Sequence, residues 1–549
     1  MRHLLLTALS ALLLMSIGIP AAAQISNTEY STPFEEPPGG KKKLLQLENG
    51  NTFLFYFTYK KGIEITVYGK NRKVIATNQL TSNLWDPKKM KASKIVGIYE
   101  IDKQPVLFIY QVLDRIPTLF RVKINAQTGK LDGEMKICTL PKLKSGSAWA
   151  MAYGGVKAPE FYVEKDPNSD NYAVVNFNSF AGESDERVEV IHYSIVDGKH
   201  KRVSQAFYDT QGFKYLNFLG MVVKGDESIF ITTYGYNTKK SGGKDSRLII
   251  SRLNAGEKEF TNKKLEFSDD FKETSAILQY NLGSKALQLL TLTYLKNKGG
   301  MKYFVTLMSY IDPQSLFIVS TKPILNVKAS EYMERNYGDA KGNNGKFIGL
   351  PQTAVINSDF STTILFEENT QIITYNSSGA IVSAQTALGK IAVTQLDTKG
   401  NEQEGMAIIK AQNGAGLIDE FYVKRKTKGI FNLTGLNANS EFVSFDYISS
   451  KNNNYILYND YVENFDDDKS TIKRKNMVRV SESNTVLHKL KYAGYDKFYL
   501  FGRPANDNFS TFSFIESSHF QKSTSTYATL VIKREKRKKE AHVAWVKLD

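Results

Sequence analysis

Short apolar runs rich in aromatic and β-branched residues, each closed by a polar turn, mark this chain. The runs recur from residue 44 to residue 548 at intervals of about 45–75 residues. In 53–59 the rings of Phe53, Phe55 and Phe57 fall on every second position, and 106–110 and 229–234 are similarly rich in aromatic and β-branched residues. A period of two places successive side chains on opposite faces of a strand. The first module, 42–80, reads as four strands (44–47, 53–59, 63–68, 74–77). They are joined at Asn49-Gly50, Lys60-Lys61-Gly62 and Gly69-Lys70-Asn71. The second repeats the pattern at 95–101, 105–112, 118–124 and 130–140, and its turn at 125–129 offers Asn125 and Gly129 for positive φ. Further modules fall at 148–207, 215–267, 275–325, 347–387, 391–433, 442–490 and 498–548. Residues 277–295 are apolar enough for a helix, but Gly283 interrupts them and Leu287, Leu289 and Thr291 alternate, so two strands are expected. Residues 332–346, polar and carrying Gly338, Gly342 and Gly345, read as a long loop between modules.

A series of four-stranded meanders predicts an all-β chain folded as a single β-propeller of seven or eight blades. Each small sheet has two faces to cover, and a closed ring covers both. Tandem β-sandwiches are the alternative, but no linker or composition shift follows Gly40. An outer-membrane barrel would need longer, more regular strands with an uncharged outer face. The module pattern resembles secreted β-propellers in general. It matches no subclass: Trp85-Asp86 is the sole Trp-Asp pair, and the double glycines at 154–155 and 299–300 are not periodic. The resemblance therefore implies a fold and no site residues.

The first residues read as a secretory signal: Arg2, an apolar stretch at 4–19, then Ala21-Ala22-Ala23. The expected organisation is a signal peptide at 1–23, cleaved after Ala23, an extended leader at 24–41 with Pro33, Pro37 and Pro38, and the propeller at 42–549. A retained membrane helix is the rival, yet the apolar run is short against the roughly 20 residues a span needs. The protein is thus expected to be secreted or periplasmic, with no transmembrane segment after cleavage. Gln24 leaves no cysteine for a lipid anchor at that end. Cys138 is the one cysteine, in a strand-like stretch, and is expected to be a buried structural thiol.

Net charge is +16, spread along the chain, with dense clusters only at 41–43 and 533–539. A solvated basic surface is the simple reading, and contact with anionic envelope polymers the functional one. The second cluster falls between two strand-like stretches and reads as a hairpin tip. Secretion argues against nucleic acid as a partner.

Catalytic patterns are sparse. The Gly-x-Ser-x-Gly elbow is absent. The mature chain holds His192, His200, His488, His519 and His542, no two of them at the spacing of a helical zinc pair. Asp460, Glu463, Asp466, Asp467 and Asp468 crowd one stretch and leave calcium as a weak possibility, without the EF-hand pattern. Asp269-Asp270 and the pair Asp166 and Asp170 read as turns. Glu367-Glu368 could supply a glycosidic carboxylate, but neighbours in a strand point to opposite faces, so the two cannot share a site. No catalytic or metal-binding residue is assigned, binding residues are unknown, and no cofactor is expected. The chain is expected to be a non-catalytic binding or scaffolding protein of the cell envelope or extracellular space, with a protein or polysaccharide partner. The alternative is an envelope hydrolase or lyase acting on carbohydrate through carboxylates at the propeller channel.

Overall fold

The structure, a computed structural model, describes residues 27–549 except 147–159, 178–187, 238–245, 268–270, 297–301, 339–346, 378, 380, 434–440, 467–473 and 493. The signal segment, Asp269-Asp270, Asp467-Asp468, Gly342 and Gly345 lie outside the described residues. Eight antiparallel sheets follow one another along the chain. These blades span 41–79, 93–139, 160–207, 215–265, 272–323, 350–408, 446–499 and 509–547. The chain is therefore an eight-bladed β-propeller and not a row of sandwiches.

The alternation in the sequence becomes the packing between blades. Phe53, Phe55 and Phe57 of blade 1 join Ile95, Leu107, Ile109, Phe120 and Val122 of blade 2. Leu54, between them in sequence, turns the other way, toward Val543 and Trp545 of blade 8. Blades 2 and 3, 3 and 4, and 4 and 5 each share a comparable cluster, one larger cluster joins blades 5, 6 and 7, and another joins 7 to 8. Fully burying one such side chain is worth about 1.5–3 kcal/mol, so every blade depends on both neighbours. Residues 277–295 form the expected two strands, Lys272–Asn281 and Ala286–Lys296. Gly129 takes φ +68° in its turn, with Asn125 Oδ1 accepting the Gln127 and Thr128 N–H groups.

Three sequence expectations are corrected. The described part of the expected leader, from residue 27 on, is not separate from the ring: Thr28–Tyr30 pairs with Lys538–Lys547 as the outermost strand of blade 8, and Phe34 bridges Ala541. The modules at 347–387 and 391–433 are one blade followed by an insertion. Two long strands, Thr362–Tyr375 and Ile381–Leu396, run through both halves. A register shift between Glu367 and Asn369 interrupts the alternation there, which hides the continuity from a pattern search. Finally, the stretch read as a loop at 332–346 begins inside a helix, α1 (Val327–Tyr337). Its start is capped from blade 6, because the Glu402 carboxylate accepts the N–H groups of Leu325, Asn326, Val327 and Lys328. Ala329, Tyr332 and Met333 are buried, and Gly338 closes the helix in the left-handed region.

Cys138 is a buried free thiol, and burial pushes its pKa up. No helix among the described residues is long and apolar enough to cross a membrane.

Candidate functional site

The first strand of each blade faces the central channel, and that channel is filled in part by the chain itself. After Gln412–Ala415, which still pairs with Gln385–Leu388 of blade 6, the insertion leaves that blade and its described residues 416–433 cross the ring. It carries a short helix, α2 (Tyr422–Thr427), and then pairs Phe431–Asn432 with Ile95 and Lys94 on the inner strand of blade 2. It is tied to most of the ring. The Phe421 N–H donates to Pro351 O of blade 6, and the Ile98 N–H of blade 2 donates to Lys428 O. Lys43 Nζ of blade 1 donates to Lys426 O at 2.9 Å. Lys428 pairs with Glu164 of blade 3, Ser275 of blade 5 donates to Glu420, and Lys426 Nζ lies 2.6 Å from Asp446 of blade 7.

This plug explains the first basic cluster. Lys41, Lys42 and Lys43 are all buried, so none belongs to a solvated surface. Lys41 pairs with Glu516 and Lys42 with Glu441. Lys43 instead donates to the carbonyls of Lys426 and Ser518, and burial lowers its pKa to about 8.

The plug does not fill the channel evenly. On the side of blades 3 to 6 it leaves two chambers. The first, about 390 Å³, lies against Phe161–Glu164, Asn217–Met221 and Thr274–Leu278 and is closed by Glu420, Lys424 and Arg425 of the plug. The second, about 640 Å³, continues the same inner strands toward the other face. It meets Val222–Gly225, Leu278–Tyr280 and Thr353–Ile356. Glu164, Leu278, Lys424 and Lys428 line both and mark the waist between them. Burial lowers the Lys424 pKa to about 8, with Lys428 pushing the same way and Glu164 opposing. The chambers are concave, partly apolar and set with a few polar groups, as small-molecule sites are.

None of the residues considered from sequence lines these chambers except Asp166, which is held in its turn. Its carboxylate accepts from Asn168 N, Ser169 Oγ and Gly225 N, and Asp170 pairs with Lys165. Glu367 and Glu368 take different partners at the register shift: Glu367 is sealed against Lys410 at 2.7 Å, and Glu368 pairs with Lys390. In the acidic stretch Asp460 pairs with Arg474, Glu463 with Lys475 and Asp466 with Arg503. Among the described residues, no three ligating side chains gather as a metal site. His192 and His488 are buried in strands; burial lowers His488 to about 3 and His200 to about 4. The His519 ring accepts the Gln46 N–H, and His542 Nδ1 lies 3.1 Å from Ser31 O. The run 533–539 is a hairpin tip, as expected, with Lys533 over the Tyr30 ring and Lys539 pairing with Glu36. What sequence reasoning missed was the plug. Its signal was the run of four cations at Lys424, Arg425, Lys426 and Lys428 beside Gly429, where no alternation holds.

No family model and no curated protein matches this chain. Solved structures similar to it include a polysaccharide lyase, Uly1, at 9% identity and TM-score 0.38, over 83% of this chain and 90% of that one. Prolyl oligopeptidase B from Galerina marginata is similar at 8% identity and TM-score 0.39, over 94% of this chain and 56% of that one. A GH43 endo-arabinanase from Bacillus licheniformis aligns at 11% identity and TM-score 0.26, over 52% of this chain and its own full length. At such identities and TM-scores these likenesses do not bear on what this chain does.

Proposed function

We propose that this chain is a non-catalytic binding protein of the cell envelope or extracellular space that takes a small ligand into the channel chambers. The observation that carries the reading is the state of the channel carboxylates. Of the carboxylates that line the chambers, Glu164 pairs with Lys428, Glu227 pairs with Lys224, Asp166 is held in its turn and Glu420 accepts from Ser275, while the chambers stay open. A carboxylate held by an ammonium is a poor proton carrier. The rigid strands around it suit recognition. The test is recovery of a ligand. The mature chain would be incubated with envelope extract, washed without denaturant and its released small molecules identified by mass spectrometry. A stoichiometric ligand, lost when Asn217→Trp fills the first chamber, is the expected result; a chain recovered empty would overturn the proposal.

A carbohydrate hydrolase or lyase is the second reading, favoured by Glu164 and Glu420 lining one chamber. It predicts new reducing ends or unsaturated products from an envelope polysaccharide, abolished by Glu420→Gln.

A further inference from the structure

We propose that the waist between the chambers is a site for a small organic carboxylate, bound by the Lys424 ammonium; this rests on the reading of the chambers as the ligand site. The cations of the plug and of the chamber walls differ in one respect. Lys428 has Glu164, Arg425 has Asp419 and Glu420 O, Lys426 has Asp446 and Phe445 O, Lys165 has Asp170, and Lys224 has Glu227. Lys424 has no acceptor among the described residues, although it lies deep in the channel and touches both chambers. Lys424 is half-buried, an ammonium drawn partly out of water without an acceptor is costly, and the space this one lines is open.

The chemistry of the ligand follows from the surroundings. With the neighbouring ion pairs already complete, the waist presents one uncompensated positive charge, which suits a monoanion better than a phosphate dianion. The walls beside it include Phe161, Phe218, Ile277 and Leu278, and Phe218 is stacked with Tyr162 at 4.1 Å between ring centroids. An inorganic anion would leave that apolar wall in contact with water. An organic body attached to the carboxylate would cover it. The Arg425 and Lys428 ion pairs hold the last turn of the short helix on either side of its axis, so the backbone that carries Lys424 is in place before a ligand arrives.

Titration calorimetry on the mature chain tests this with glucuronate, benzoate and acetate, set against glucose and inorganic phosphate. At least one carboxylate should bind and glucose should not, and Lys424→Met should weaken that binding at least tenfold, with Lys424→Arg recovering part of it. Without ligand, Lys424→Met should melt no lower than the parent, since no contact of the chain is lost. Binding of none of the carboxylates, equal binding by the Met variant, binding of phosphate alone, or a lowered melting point in that variant would each overturn the proposal. A ligand from envelope extract that still binds Lys424→Met would leave the channel reading standing and remove only the carboxylate.

Discussion

Buried charge in this ring is tolerated where each ammonium meets an acceptor. Glu367 and Lys410 are the extreme case, with both side chains fully inaccessible and 2.7 Å apart. Burial pushes the Lys410 pKa down and Glu367 pulls it back up. Glu367→Ala should therefore cost about 3–5 kcal/mol in urea unfolding, because it strands a buried lysine. The pair Glu367→Gln with Lys410→Met should recover most of that loss; equal losses in the single and double variants would refute the account. His488 makes a second prediction. Its pKa is about 3 in the fold against an ordinary 6.5, because burial disfavours the imidazolium. Below pH 6.5 the unfolded chain takes up a proton that the folded chain refuses until about pH 3. Stability is therefore lost as pH falls through that window, by about 1.4 kcal/mol per unit for this group. Glu100, raised to about 7, acts in the opposite sense between its ordinary value and neutrality. His488→Phe keeps a ring beside Tyr458 and Tyr495, so urea midpoints between pH 6 and 4 should flatten by about that slope. At this scale the expectation that Glu367 and Glu368 do not share a site is met by their different partners, although the register shift at Glu368 and not plain alternation sets them there. Sequence pattern could not foresee the burial of Lys41 and Lys42, whose partners Glu516 and Glu441 lie 475 and 399 positions away.

Strands were legible because their signal is local, and the plug was not because its stability is borrowed from the ring. The six residues of α2 are too few to hold a helix alone. What fixes them is Pro351 O, Asp446 and the close approach of Gly429 to Ile98. Gly429 sits at φ +66°, and a Cβ there would come within about 3.0 Å of the Ile98 side chain. Gly429→Val should therefore cost about 2–4 kcal/mol, combining left-handed strain with a steric clash. Hydrogen exchange should speed up in 421–432 and at Ile98 while blades 4 and 5 keep their protection. Acceleration across every blade would mean that the plug and ring unfold together. The helix α1 was missed for a related reason: its cap, Glu402, comes from a strand of the next blade. The split of blade 6 had a different origin, the register shift at Glu367, which resets the period that pattern reading follows.

Closure belongs to the whole molecule. A ring of eight blades gains its last interface only if the two ends of the chain meet, and here the meeting is small. Thr28–Tyr30 supplies three ladder positions on Lys538–Lys547. Ser31 adds two more contacts, its N–H donating to Val543 O and its Oγ accepting the Val543 N–H. Outside the ladder, Arg72 of blade 1 pairs with Glu29 and lies over the Trp545 ring, tying the closing strand to both blades it joins. Three residues among prolines carry no strand signal of their own, and their partner is more than 500 positions away, so this element was invisible to local pattern. Its effect should nevertheless exceed its size, because losing it exposes the edge of Lys538–Lys547 and loosens the apolar contact of blade 8 with blade 1. A chain starting at Gly39 should be less stable than one starting at Gln24 by on the order of 3–5 kcal/mol, at about 1 kcal/mol per lost hydrogen bond plus the apolar contact. Hydrogen exchange in the shortened chain should rise first in Lys538–Lys547 and Lys41–Gln46, the strands on either side of the seam. A synthetic peptide of residues 24–38 added in trans should restore both the midpoint and the protection, since it carries the complete strand. Equal stability of the two chains would mean that the apolar interface closes the ring unaided, and a loss that the peptide does not repair would place the defect in folding and not in closure.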